Sequence, residues 1–289
     1  MVQIDVFTDR ALMGNALAVC LDGRGLTTEQ MQAIARETNL SETTFILPRD
    51  AAVEHERGVR VRIFTVSEEL PFAGHPTLGT AFALRGSSGA PEVKLELNVG
   101  LVPVRFEDTG SGELPFGEMT QIDPQFGPQH DREALAQATG LRIEDLDPAL
   151  PVETVSTGLP YTITPVRSLA KLSEMRIDPA RTEQYLAQAG GKFFYFVSRE
   201  TVDPKARLHA RMLFYGNEDP ATGSAAGCTA AWMVAHGVAQ SDERVIIEQG
   251  IEMKRPSRIF VRASKNGNRV VNVRVGGNAV EVMRGEFVL

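Results

Sequence analysis

Two glycine loops hold the side chains best suited to chemistry in this chain: Pro71-Phe72-Ala73-Gly74-His75-Pro76 and Asp219-Pro220-Ala221-Thr222-Gly223-Ser224. Each runs into a stretch of small, apolar residues that suits a helix buried on most sides. A helix N-terminus presents unpaired N–H groups and the positive end of the dipole, so it favours an anion. Two such termini facing each other would clamp one small carboxylate. Gly74 and Gly223 would let the backbone approach closely, and His75 and Ser224 follow them. Taken singly, either loop reads more simply as an ordinary Gly-Pro turn.

The two loops are related to one another. Laid on itself at an offset of 149 positions, the chain matches Arg62 with Arg211, Glu69 with Glu218, Pro71 with Pro220, Gly74 with Gly223, Thr80 with Thr229 and Ala81 with Ala230. Six identities in twenty positions exceed the one or two expected at about average composition. An internal duplication reverses the preference for plain turns and places His75 and Ser224 at equivalent positions. The period is too long for a solenoid, so the expectation is two similar α+β domains with a ligand cleft at their shared interface.

Two carboxylates stand out beside the loops' own residues. Glu42 stands in Ser41-Glu42-Thr43-Thr44-Phe45, a segment otherwise built for a half-buried strand. Burial there would raise its pKa and make it a general acid and base; at the strand's exposed start it would be an ordinary surface acid. Asp219 reads either as a brace for the Thr222-Gly223-Ser224 turn or as a group sharing a proton across the cleft. Of the five histidines, His55, His130, His209 and His236 read as surface or packing residues. There is no His-Glu-x-x-His, no Cys-x-x-Cys and no Asp-x-Asp calcium loop, so a metal site is not supported. Gly-x-Ser-x-Gly, Walker A and Gly-x-Gly-x-x-Gly are absent too, which leaves an enzyme without a cofactor as the expectation.

The elements that must position these residues follow from periodicity. Val2, Ile4 and Val6 alternate as a strand, Ala16 to Leu21 resumes after a turn at Gly14-Asn15, and Thr27 or Thr28 caps a helix ending near Asn39. Strands follow near 41–48 and 59–64, the first small-residue helix spans 77–84, and strands lie near 93–97 and 101–106. The stretch Asp108 to Gln129 is dense in Gly, Pro and Ser and reads as a linker. Beyond it come a helix near 132–139, strands near 152–156 and 161–165, a helix near 182–189, and strands 193–198 and 208–214 before the second loop.

Composition narrows the partners. At 289 residues the prior is two domains, and a net charge of −7 with a pI near 5.4 offers no basic face to phosphates. Nucleic acid and membrane are therefore not expected. The acid at Asp5 and the lack of a long apolar run argue against a signal peptide or membrane span, so the chain reads as cytoplasmic. Cys20 and Cys228 read as buried reduced thiols.

Five segments in order carry a resemblance across nearly the whole chain: Gly14-Asn15, Asn39-Leu40-Ser41-Glu42-Thr43-Thr44-Phe45, Pro71 to Gly79, Ser156-Thr157-Gly158-Leu159-Pro160, and Glu218 to Gly227. The sequence resembles the PhzF-like phenazine-biosynthesis isomerase family. The resemblance implies a diaminopimelate-epimerase-like α+β fold: two pseudo-symmetric domains, each a curved, mostly antiparallel sheet around a central helix. On that template the N-terminal domain spans 1–117 plus 279–289, with a C-terminal strand crossing back, and the second domain spans 118–278. The family is cofactor-independent and isomerises a dihydro-hydroxyanthranilate by proton shuttling. Glu42 corresponds to its catalytic glutamate, His75, Asp219 and Ser224 to the other catalytic groups, and Gly74, Gly223 and Asn15 to substrate-binding positions. A homodimer is the assembly that the resemblance suggests.

The related epimerases use one cysteine from each glycine loop. Neither loop carries one here, and Cys228, four residues past Ser224, reads as core. The expected function is therefore isomerisation of a small carboxylate-bearing metabolite, with Glu42 moving a proton in the inter-domain cleft. The alternatives are an amino-acid-like epimerase or racemase using Glu42 and Asp219, and a binding protein that kept the clamp without turnover.

Overall fold

In the computed structural model the alternation at the N-terminus becomes β1 (Val2–Val6), with Val2, Ile4 and Val6 buried. The structure describes residues 1–107, 110, 114–214 and 217–288. The chain divides into two compact units, Met1–Thr120 with Gly276–Leu289, and Gln121–Val275.

In the first unit β1 runs antiparallel to β2 (Asn15–Cys20), and β2 parallel to β3 (Glu42–Leu47). A parallel neighbour requires a crossover, and α1 (Thr28–Thr38) supplies it. Thr27 caps α1 through a reciprocal capping box with Gln30, and Asn39 ends it in the left-handed conformation at φ 50°. Met31, Ile34 and Ala35 form its buried stripe. After α2 (Ala51–Arg57), β4 (Val59–Phe64) pairs antiparallel with β3 and with the short β5 (Glu69–Leu70). The first glycine loop then opens α3 (Gly74–Arg85), whose residues Gly74 to Ala81 are all buried. It packs against β1, β2 and β3, and the small side chains permit that enclosure. Beyond it β6 (Glu92–Leu97) lies parallel to β4, and β7 (Gly100–Glu107) and β8 (Phe116–Thr120) follow antiparallel.

The second unit repeats this order. After β9 (Gln125–Gln129) and α4 (Arg132–Thr139), β10 (Glu153–Ser156) pairs antiparallel with β9 and with β11 (Pro160–Pro165). Helices α5 (Leu169–Glu174) and α6 (Pro179–Ala189) cross to β12 (Phe193–Ser198), parallel to β11. Next, β13 (Ala206–Phe214) is antiparallel to β12 and to the short β14 (Asn217–Asp219). The second glycine loop opens α7 (Gly223–Ala235), buried from Gly223 to Val234. Then β15 (Val245–Gln249) lies parallel to β13 and antiparallel to β16 (Ser257–Asn266), and β17 (Arg269–Gly277) follows. The last strand, β18 (Ala279–Arg284), pairs antiparallel with β1 in the first unit. Met1 and Gly285 exchange hydrogen bonds at 2.7 and 3.1 Å, so the two ends of the chain meet.

Register sharpens the duplication. Phe45 lies opposite Arg62 and Phe196 opposite Arg211. With the two arginines equivalent, counting back along β3 and β12 matches Glu42 with Phe193. The arginines are used alike: Arg62 holds Glu69 through two bonds of 2.9 and 2.6 Å, and Arg211 holds Glu218 through two of 2.9 and 2.7 Å.

The expected linker at 108–129 is corrected. Residues 108, 109 and 111–113 lie outside the described residues, but Phe116–Thr120 and Gln125–Gln129 are strands. Phe116 to Met119 are buried on both faces, which erases the alternation that marks a half-exposed strand. Gly117 is needed there because a β-carbon would sit 2.8 Å from the Phe82 ring. Among the described residues no helix is long and apolar enough to cross a membrane.

Candidate active site

The residues singled out from the sequence fall into two groups, one in each unit. In the first unit the group begins at the turn before β2. Gly14 has φ 67°, and a β-carbon there would meet the Val6 carbonyl at 2.3 Å, so the position demands glycine. Asn15, next in the chain, pairs with Val6 across the β1/β2 ladder and is 1% exposed. Its side-chain nitrogen lies 3.1 Å from His75 Nδ1.

His75 is the second residue of α3, and its other ring nitrogen, Nε2, is 3.3 Å from Glu42 Oε2. Glu42 opens β3 opposite Leu17. It thus sits at the strand's start, yet its side chain is only 15% exposed: α3 and His75 shield it. Burial pushes the His75 pKa down to about 3, so the ring is neutral at physiological pH. No side chain caps the N-terminus of α3, and no acid stands in its first turn. The helix end beside Gly74 therefore keeps its preference for an anion.

In the second unit Ser224 occupies the matching second position of α7, with Gly223 first and again no side-chain cap. The Ser224 hydroxyl is 2.7 Å from the hydroxyl of Tyr161 on β11, and both side chains are buried. Asp219 ends β14 and its Oδ2 accepts a 2.6 Å bond from the Thr222 hydroxyl, bracing the turn as one of the two sequence readings held. Gln249, fully buried at the end of β15, accepts from the Tyr195 hydroxyl and the Thr222 N–H. Its side-chain nitrogen donates to the Asp219 carbonyl and to the Thr222 hydroxyl. Gln121 donates to the Gly223 carbonyl at 3.1 Å and accepts from the Thr157 hydroxyl at 2.6 Å.

Tyr161, Gln249 and Gln121 carry no motif of their own. The one available signal is that Thr157 and Tyr161 lie in or beside Ser156-Thr157-Gly158-Leu159-Pro160. Cys228 is fully buried, and burial pushes its pKa up to about 11, so it remains a thiol within the core. His209 differs from its reading as a surface or packing residue. It is 0% exposed and bonds Glu248 at 2.8 Å and Glu252 at 3.1 Å. Among the described residues no group of three His, Cys, Asp or Glu is arranged to hold a metal.

Residues 4–285 match the family described as phenazine biosynthesis-like protein. The chain is 40% identical to an uncharacterized isomerase of Mesorhizobium japonicum, over 99% of this chain and 97% of that one. It is 35% identical to the trans-2,3-dihydro-3-hydroxyanthranilate isomerase of Pseudomonas chlororaphis, over 100% and 99%. Among solved structures, a predicted epimerase from Pseudomonas aeruginosa is similar with a TM-score of 0.85 at 37% identity, covering 100% of this chain and 98% of that one. A probable proline racemase from Agrobacterium radiobacter shares the fold, with a TM-score of 0.67 at 12% identity over 100% and 92%.

Proposed function

The chain belongs to the phenazine biosynthesis-like family, a family with isomerases among its members, and on that footing we propose that it isomerises a small carboxylate-bearing metabolite with Glu42 as the proton carrier. The observation that carries this reading is half-buried Glu42 beside buried, neutral His75, 3.3 Å apart at an uncapped helix N-terminus. A carboxylate there removes a proton from one carbon of the substrate and returns it to another, so atoms and charge balance within one molecule. The electron pair left on the substrate shifts along its conjugated system and is drawn to the helix N-terminus and to the N–H groups near it. The step moves only a proton and asks for no cofactor.

Register supports one carboxylate rather than a matched pair. The position equivalent to Glu42 in the second unit is Phe193, and the position equivalent to His75 is Ser224. On this reading the second unit contributes binding: Gly223 and Ser224 hold the substrate, and Asp219 orients it. Trans-2,3-dihydro-3-hydroxyanthranilate is the first compound to try, because it is the substrate named for the Pseudomonas chlororaphis relative.

Epimerisation is the second reading, favoured by the separate acid Asp219 in the second unit. In D₂O an epimerase inverts a stereocentre and labels that same carbon, whereas an isomerase labels a different carbon. The test follows both by NMR and mass spectrometry on a panel of small carboxylates, with wild type and Glu42→Gln. Glu42-dependent transfer to a second carbon, lost by about 10²-fold or more in the variant, is expected. Turnover that is indifferent to Glu42→Gln overturns the reading.

A further inference from the structure

We propose that Asn15 sets the tautomer of His75, keeping the ring proton on Nε2, where it faces Glu42. The proposal deepens the reading of Glu42 as proton carrier, and only its kinetic test rests on that reading.

A neutral imidazole has one N–H and one lone pair. The amide nitrogen of Asn15, 3.1 Å from Nδ1, has only protons to offer, so Nδ1 must accept. The single ring proton is then on Nε2. On that side stands Glu42 Oε2 at 3.3 Å, off the line of a hydrogen bond but, as a carboxylate oxygen, with only lone pairs to offer. Both neighbours thus ask for the same tautomer. The opposite one would set an N–H against an NH₂ on one side and two lone pairs against each other on the other side.

The backbone around Asn15 is built to hold this side chain still. Phe7 and Leu12 both adopt positive φ, at 64° and 68°, which costs non-glycine residues about 1–3 kcal/mol each. The Leu12 N–H donates to the buried Asp5 carboxylate at 2.6 Å. The N–H groups of Phe7 and Thr8 both donate to the Asn278 carbonyl. Gly14 admits the tight approach to Val6, and the β1/β2 register then aims residue 15 at α3. A strained, heavily tied loop ends on the amide that meets the back of His75. Asn15 is accordingly a positioning residue: it acts on Glu42 through His75.

The consequence is functional. With the ring proton on Nε2, His75 presents an N–H to the Glu42 carboxylate 3.3 Å away, within reach of a hydrogen bond after a small shift of either side chain. If the tautomer were reversed, a lone pair would face the carboxylate and repel it. A wrong tautomer in an analogous carboxylate–histidine pair costs about 10⁴-fold in kcat where the histidine itself carries the proton. Here the histidine assists a carboxylate, so a fall of roughly 10²-fold is expected.

The test is long-range ¹H–¹⁵N NMR of His75 in the substrate-free protein, which separates protonated from unprotonated ring nitrogens, with His75→Gln used to assign the signals. The expected spectrum has Nε2 protonated and Nδ1 bare; a protonated Nδ1 overturns the proposal. In Asn15→Asp the introduced carboxylate draws the proton to Nδ1, and kcat falls while KM stays near wild type. Should that variant fail to fold, Asn15→Leu removes the donor without adding an acceptor. It is expected to lose the single tautomer signature and to lower kcat in the same way. An unchanged spectrum and unchanged kcat in the variant that folds overturn the proposal. If Nε2 is protonated but turnover ignores Glu42→Gln, the proton-carrier reading fails and the tautomer assignment stands.

Discussion

A β-carbon on residue 227 would lie 1.9 Å from Gln121 Oε1, so Gly227 exists in α7 to let the Gln121 side chain lie across the helix. Gly227→Ala must push that side chain away and break its bonds to Thr157 and to the Gly223 carbonyl. The expected cost is about 1–3 kcal/mol in urea unfolding, with a loss of turnover beyond what the lost stability explains. Combined with Gln121→Ala, the two changes should cost less than the sum of the singles, because they remove the same contact. Additive effects would mean that the overlap is relieved elsewhere.

Tyr161→Phe deletes the hydroxyl 2.7 Å from Ser224 Oγ and leaves the ring in place against Phe193. A lost hydrogen bond of this kind is worth about 1 kcal/mol in stability. Freed to rotate, Ser224 holds substrate less well, and a tenfold fall in kcat/KM corresponds to about 1.4 kcal/mol. Steady-state kinetics checks this; Ser224→Ala in the Tyr161→Phe background should cost more, since it removes the hydroxyl itself, but less than Ser224→Ala costs in wild type.

His209 predicts a pH dependence of stability. Burial pulls its pKa down, but the hydrogen bonds and charges of Glu248 and Glu252 outweigh burial and push it up to about 9 from 6.5. A folded-state pKa above the unfolded value means a contribution fully present below pH 6.5 and lost as the pH rises through 9. A shift of this size corresponds to about 3 kcal/mol. Thermal unfolding of wild type should weaken from pH 6.5 to 9.5, and His209→Gln should flatten that slope. Equal slopes in the two proteins would show that the imidazolium is not what stabilises the cluster.

The repeated ion pairs should be unequal. Arg211 is 4% exposed and also donates to the carbonyls of Leu172, Ser173 and Met175, so Arg211→Met leaves Glu218 uncompensated in the interior. About 3–5 kcal/mol is expected. Arg62 and Glu69 are 18% and 24% exposed, and Arg62→Met should cost within about 1 kcal/mol. Denaturant titration of the two variants decides it; similar costs would overturn the ranking.

The legible part of this protein is the part written in contiguous segments. Glu42 and His75 each stand in a motif, and the match of Arg62 to Arg211 exposes the duplication without any structure. Gln121, Tyr161 and Gln249 are different. Each is a polar residue at a strand or its edge, and its partners are 27 to 102 positions away, so no local period points to it. Gln121 even falls in the stretch read as a linker, because strands buried on both faces lose their alternation. Three strands between Val245 and Gly277 go unassigned from the sequence, since they have strand composition but no residue that asks for chemistry. Glu42 shows the same limit at finer scale: its place at the start of a strand is readable, whereas its shielding by His75 comes from a helix 32 positions on.

The pairing of β1 with β18 has a consequence for synthesis. β1 is made long before its neighbour β18, so the first unit's sheet stays open along one edge until β18 has been synthesised. A nascent chain with an unpaired edge is a target for chaperones or for a second chain. The same seam brings the termini together, which favours circular permutation: joining the ends through a short linker and opening the chain at the exposed Val202–Lys205 turn would make β18 and β1 neighbours in sequence and shorten the wait.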